Sequence, residues 1–416
     1  MTSLTNQGSY GCIYHPSISC KSKTTNPKYI TKVQRDRKNA EREERISVEI
    51  KRIPNYRHFF GPIESSCDIS ISNIQETELN KCEFMMEEPQ DKYVANKIRY
   101  IGKEILSDYL LRITRTTPNQ ISRIIIEQYK YILNSLTKLQ QKRIVHLDLY
   151  EKNILIDQKS KNPIIIDFGL SFKIDDLKNL TKTDQLSHLR SIFVAYGVDY
   201  IPWCIDIAII TYVHKLEDLK TLVTQEQLNE IIGDFFEKNP LFITENTNDT
   251  NTNNSNNKNN SNNKNNSNNK NNSQYFSDSE LAEYRKIVTT YFSEYIGKSW
   301  REFIDAIINV SVNSWDNYSI AAIFYLFLVD STHHIDPVFV PLINLLKTII
   351  LASPKDRMNA QESLSQLNDA LKSISKPTRN LGNLNKDSEQ IKKNLLENKK
   401  EMLEREAKIQ RILEQQ

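Results

Sequence analysis

His146, Asp148 and Asn153 fall within the stretch VHLDLYEKNILID, and Asp167 closes the apolar run of PIIIDFG. Four residues separate Asp148 from Asn153, and thirteen more separate Asn153 from Asp167. These polar residues sit at the ends of apolar runs, where a strand hands a side chain to a cleft. A tight hairpin between ILI and PIIID would bring two carboxylates and an amide oxygen to one cavity. That donor set suits a hard cation such as Mg²⁺, which takes oxygen ligands and keeps phosphate oxygens in its shell. Asp148 could instead accept a proton from an attacking hydroxyl. Taken singly, Asp and Asn are as well explained as turn and capping residues. The joint pattern H-x-D-x4-N followed by D-F-G is what points to phosphoryl transfer.

HLDLYEKN and DFG resemble the catalytic loop and the metal-binding loop of eukaryotic-type protein kinases, and the rest of the chain can be compared with that family. NQGSYGCI resembles the glycine-rich loop over the nucleotide phosphates, with Gly8 and Gly11 in place and Ile13 just beyond it. YITKV resembles the strand that carries the phosphate-anchoring lysine, here Lys32. The next helix should supply a glutamate to pair with it. Glu44 fits best by its distance from Pro54 and Asn55, with Glu41, Glu43 and Glu49 as rivals. YGVDY resembles the element that closes the activation segment, with Asp199 in place of the family's glutamate, and SPKDRMNAQESL would then supply its partner, Arg357. SWDNYSIAAIFYLF resembles the buried central helix of the large lobe, with Asp316 reaching back to the catalytic loop and Asp206 of CIDIAIITYV as runner-up. The stretches DYIPWCID and GSYGCIYHP and an asparagine-rich insert look most like the protein kinases of giant, mimivirus-like DNA viruses.

The resemblance implies an α+β, bilobal fold with a small β-rich lobe and a large helical one, adenine lying between them near a hinge at Arg99 to Lys103. It implies ATP and Mg²⁺ as cofactors and a protein hydroxyl, of serine or threonine, as acceptor. Asp148 would be the base and His146 would buttress its loop. Asn153 and Asp167 would hold the metal, Lys32 would grip the phosphates, and Gly8 and Gly11 would let backbone N–H groups approach them. Three family residues are replaced. Leu147 stands for the arginine that binds an activation-segment phosphate, so activity is expected not to depend on phosphorylation of Thr181, Thr183 or Ser187. Tyr150 stands for the lysine usual in serine/threonine kinases, which removes a cation from the transferring phosphoryl. Asn6 stands for the first loop glycine and tolerates left-handed backbone better than most residues. A nucleotide-binding pseudokinase scaffold is the alternative reading. A small-molecule phosphotransferase ranks third, because it would lack the YGVDY and Arg357 elements.

The elements that must position these residues are legible in outline. GCIYHP and KYITKVQ alternate as half-buried strands do. Ile46, Ile50 and Ile53 recur at helical spacing in an amphipathic helix that ends at IPNY. SRIIIEQYKYILNSLTKLQQ reads as a long helix leading into VHLDLYEKN. The domain expectation is a small lobe over 1–100, a large lobe over 101–375 with a disordered asparagine-rich insertion at 246–273, and a charged helix or tail over 376–416. The insertion repeats SNNKNN and has no apolar side chain to bury. In the tail, Ile391, Leu395, Met402, Ile409 and Leu413 form an imperfect stripe suited to a solvated helix or to a partner.

At 416 residues the chain has room for two or three domains of roughly 100–200 residues. A net charge of +3 is too mild to argue for nucleic acid. The longest apolar run, Ile320 to Val329, is too short to span a bilayer. The five cysteines, Cys12, Cys20, Cys67, Cys82 and Cys204, show no paired spacing. They read as reduced thiols of a soluble intracellular protein, placed in a host cytoplasm or virion if viral.

Overall fold

The computed structural model describes residues 2–8, 11–20, 25–34, 36–70, 72, 74, 76–87, 89–116, 120–178, 185–243, 275–331 and 337–375. The first hundred residues build β1 (Ser3–Gly8), β2 (Gly11–His15), β3 (Ser17–Ile18), β4 (Thr25–Asn26), β5 (Tyr29–Gln34), α1 (Arg37–Lys51), β6 (Phe60–Gly61), β7 (Ile63–Ser70), α2 (Glu76–Leu79), α3 (Glu83–Glu87) and β8 (Lys92–Arg99). Five of these strands form an antiparallel sheet in the order β1-β2-β5-β8-β7. Alternation gives the sheet two chemically different faces. Cys12, Val33 and Ala95 lie side by side and join Tyr14, Ile69, Phe84 and Tyr93 in an apolar cluster. Ile13, Lys32 and Asn96 lie side by side on the opposite face.

Helix α1 covers that second face. Asp36 caps it, accepting a 2.7 Å hydrogen bond from the Lys38 backbone N–H. Its buried positions, Ala40, Glu43, Ile46, Ser47 and Ile50, follow helical periodicity. Ile46 and Ile50 reach into the large core of the later residues, and so tie the helix to the elements below.

The rest of the chain is mainly helical: α4 (Leu106–Thr116), α5 (Ile121–Gln141), α6 (Ile174–Lys178), α7 (Gln185–Ile192), α8 (Ile205–Thr211), α9 (Gln225–Lys238), α10 (Asp278–Ser293), α11 (Trp300–Ser311), α12 (Trp315–Ser331), α13 (Val340–Ile350) and α14 (Ala360–Ser375). Among them run four short strands, β9 (Ile144–Val145), β10 (Ile154–Ile156), β11 (Pro163–Ile166) and β12 (Phe172–Lys173). The expected hairpin is present: Ile154 faces Ile165 and Ile156 faces Pro163. β11 also pairs in parallel with β6, and β12 pairs with β9. Helix α12 is apolar all round, as a helix buried on every side must be. Its Trp315, Tyr318, Ile320 and Phe324 are fully buried. No helix among the described residues is long and apolar enough to cross a membrane.

Between α8 and α12 the helices α9, α10 and α11 are folded into the large core, where Leu228, Ile231, Phe235, Tyr284 and Phe303 join α12. Capping boxes at Thr224, Ser277 and Ser299 start all three. One expectation changes: the cysteines are not all reduced. Cys12 is bonded to Cys82 and Cys20 to Cys67, each pair with Cα atoms 6.1 Å apart, and Cys204 alone is a free, buried thiol. Sequence separations of 70 and 47 carry no spacing signal, and it is the folding of the sheet region that brings each pair together. The pairing removes the thiol argument for a reducing compartment. The expectations for tract 246–273, for 376–416 and for Thr181 and Thr183 concern residues outside those described.

Candidate active site

Lys32 projects from β5 toward α1, and its ammonium meets two carboxylates from distant parts of the chain. Nζ lies 3.1 Å from Glu43 Oε2 and 2.7 Å from Asp167 Oδ1. Gln34, two residues along the same face of β5, donates a 2.6 Å bond to the same Glu43 oxygen. Lys32 and Glu43 are almost completely buried, whereas the Asp167 side chain is 38% exposed. Burial opposes the charge on Lys32, but Asp167 and Glu43 outweigh it and hold the ammonium above its ordinary range. Asp167 shows the reverse balance: burial would raise its carboxyl, and Lys32 brings it below the usual range.

The glutamate is Glu43, not Glu44. Glu43 is in helical phase with Ile46 and Ile50, three and seven residues on, so it shares their buried face. Glu44 is turned about 100° away along a 3.6-residue period and is partly exposed. The periodicity carried this information, which distance from Pro54 did not.

His146, Asp148 and Asn153 lie in the loop between β9 and β10. The His146 ring is buried, 5.0 Å from the Phe168 ring, with Nε2 2.9 Å from the Ile166 carbonyl. Its Nδ1 accepts the Asp148 backbone N–H at 3.3 Å, so the proton belongs on Nε2. Asn153 Nδ2 donates to the Asp148 carbonyl at 2.8 Å and to Asp148 Oδ2 at 3.0 Å. With its donors committed there, the Asn153 side chain has its oxygen to offer a cation.

Leu147 and Asp167 both have left-handed backbone, with φ of 68° and 59°. For leucine this costs of order 1–3 kcal/mol unless its surroundings enforce it. Here they do. Asp316, at the start of α12, accepts the His146 and Leu147 backbone N–H groups at 2.8 and 3.0 Å, and Trp203 Nε1–H donates to the Leu147 carbonyl at 2.8 Å. Asp316 thus takes the place expected of it.

Asp206 does something else: Arg357 Nη1 lies 2.8 Å from its Oδ1, with both side chains fully buried, and Trp315 Nε1–H donates to its Oδ2 at 2.8 Å. The partner expected for Arg357, Asp199, is exposed. A carboxylate buried at the N-terminus of α8 needs a cation, and an exposed aspartate does not.

Tyr200 is the residue that sequence reasoning missed. Its hydroxyl donates to Asp148 Oδ1 at 2.6 Å, and its ring packs edge-on to Trp203 at 5.3 Å. Asp148 is therefore held at both oxygens, by Tyr200 and by Asn153. Burial raises its proton affinity above the ordinary carboxylate range, and the Tyr200 bond opposes that rise. No local pattern marks Tyr200, whose place depends on the whole turn from Gly197 to Trp203. Tyr150 stands next to this cluster, its ring 6.4 Å from that of Tyr200.

Gly8 and Gly11 face each other across β1 and β2. A Cβ on Gly11 would collide with the Val33 carbonyl of β5, so packing alone demands glycine there, while a Cβ on Gly8 would meet nothing. Asn6 lies in extended β1 beside a register shift and needs no left-handed backbone. Ile13 pairs with Lys32 and shares its face. Gly102, at φ 149°, lies between β8 and α4, within the stretch expected to be a hinge.

Among the described residues no cluster of three or more His, Cys, Asp or Glu could cage a metal by itself. The oxygens of Asp167 and Asn153 fit a cation whose remaining ligands are phosphate and water, the usual arrangement for Mg²⁺.

The family model for the protein kinase domain matches residues 6–188, from within β1 to the middle of α7. No curated protein matches the chain. The matched stretch covers less than half of the chain and contains Lys32, Glu43, Asp148, Asn153 and Asp167. It supports a protein kinase domain of eukaryotic type, with transferase activity in general.

Proposed function

We propose that the chain is an ATP- and Mg²⁺-dependent protein kinase that transfers the γ-phosphoryl group to a serine or threonine hydroxyl of a protein. One observation carries the reading: Lys32 joins Glu43 of α1 to Asp167, a residue 135 positions away, at 3.1 and 2.7 Å. In this reading Lys32 binds phosphate oxygens and Glu43 fixes its position. Asp167 and Asn153 hold Mg²⁺, which when bound neutralises charge on the phosphates. Asp148, set by Tyr200 and Asn153, accepts the proton of the incoming hydroxyl. Tyr150 leaves the loop without the usual lysine, so slow turnover belongs to the reading. As part of the same proposal, the DYIPWCID and GSYGCIYHP stretches and the asparagine-rich insert support a relation to the giant-virus kinases. The test is incubation of the full chain with γ-labelled ATP, Mg²⁺ and dephosphorylated casein. Label on phosphoserine or phosphothreonine supports the reading. ATP binding without any transfer would replace it with a pseudokinase scaffold.

A further inference from the structure

Arg42 precedes Glu43 on α1, and its guanidinium leaves the helix toward the segment that follows Asp167. Nη2 donates to the Gly169 carbonyl at 2.9 Å and to Asn39 Oδ1 at 3.1 Å. Nη1 donates to the Ser191 carbonyl of α7 at 2.7 Å. One side chain thus joins the neighbour of Glu43 to a residue two positions beyond Asp167, and to the far end of the same segment. Glu43 and Asp167 are the two carboxylates on Lys32. A shift of α1 that separated Lys32 from Glu43 would also disturb the Arg42 bonds.

We infer that Arg42 is a positioning residue, a fixed clip that holds α1 against Gly169 and the end of α7 and keeps the Lys32–Glu43–Asp167 cluster assembled without phosphorylation between Asp167 and Ser191. The inference rests on the kinase reading. A segment held through a phosphate needs cations to receive it, and Leu147 is apolar and fully buried where such a cation would stand. Here the cation is on the helix and the acceptors are backbone carbonyls, which are present whatever the phosphorylation state. The planar fork of arginine spans two carbonyls at once, a geometry that the single ammonium of lysine cannot reproduce.

The experiment is a double-mutant cycle on the full, phosphatase-treated chain: wild type, Arg42→Ala, Glu43→Gln and the double variant, with Arg42→Lys beside them. Casein phosphorylation and the affinity for Mg²⁺ with a fluorescent ATP analogue are both read. Phosphatase-treated wild type should keep its rate. Arg42→Ala should lose about tenfold or more, Arg42→Lys should fall between the two, and the double variant should be little worse than Glu43→Gln alone, because contacting residues in one network are non-additive. A merely structural role would make the losses additive and would overturn the inference, as would loss of wild-type activity on phosphatase treatment. If wild type binds the analogue but transfers nothing, the kinase reading fails, and the same cycle in analogue affinity still decides the clip. Absence of binding in wild type would overturn both.

Discussion

Asp148 is held by two different donors, and the balance between them should be visible in a pH profile. Burial raises its carboxyl above the usual range, and the Tyr200 hydroxyl at 2.6 Å works against that. As base, Asp148 is active only when ionised, so activity is present above its pKa and lost as pH falls through it. Tyr200→Phe removes a donor to the charged form, so the proton binds more tightly. The acidic limb of kcat/KM should move to higher pH, the direction expected from losing one hydrogen bond to a charged group. An unmoved limb would show that Tyr200 does not set the base. At this scale the sequence was most informative about groups with fixed local spacing. Asp148, Asn153 and Asp167 announce themselves because a loop and a hairpin bring them together over few residues. Tyr200 does not, since it meets Asp148 across 52 positions through a turn with no repeating pattern.

At the scale of the element, the phase of α1 decides which glutamate reaches Lys32. Glu43→Gln should lower casein phosphorylation by about tenfold or more, because a partly uncharged pair positions the lysine poorly. Glu44→Gln should stay close to wild type, as a substitution away from buried networks does. Equal losses from the two variants would contradict the helical phase. The same logic separates Asp206 from Asp199. Both lie in the stretch after the 167–192 segment, but only Asp206, at the start of α8, is buried with Arg357 and Trp315. Periodicity could have found Glu43. Nothing short of the fold that brings the segment between α13 and α14 to the start of α8 could have found the Asp206–Arg357 pair.

Over the whole molecule, the β-rich start and helical remainder were readable from strand alternation and from the long apolar helices. The disulfides were not, since their partners meet only once the sheet has formed. Peptide mapping without reductant should recover Cys12–Cys82 and Cys20–Cys67. Reduction should then lower unfolding stability by about 2–5 kcal/mol per lost bridge. Four thiols titrating in the native, unreduced chain would contradict the pairing. The central claim is that one cluster binds the nucleotide while Asp148 carries out the proton transfer. Its most direct test is Asp148→Asn beside wild type, with Mg²⁺·ATP affinity and transfer from γ-labelled ATP measured on the same samples. The account predicts unchanged affinity and transfer reduced by roughly 10²-fold or more, the usual scale for loss of a general base. Transfer that survives in Asp148→Asn, or that falls only in step with nucleotide affinity, would contradict it.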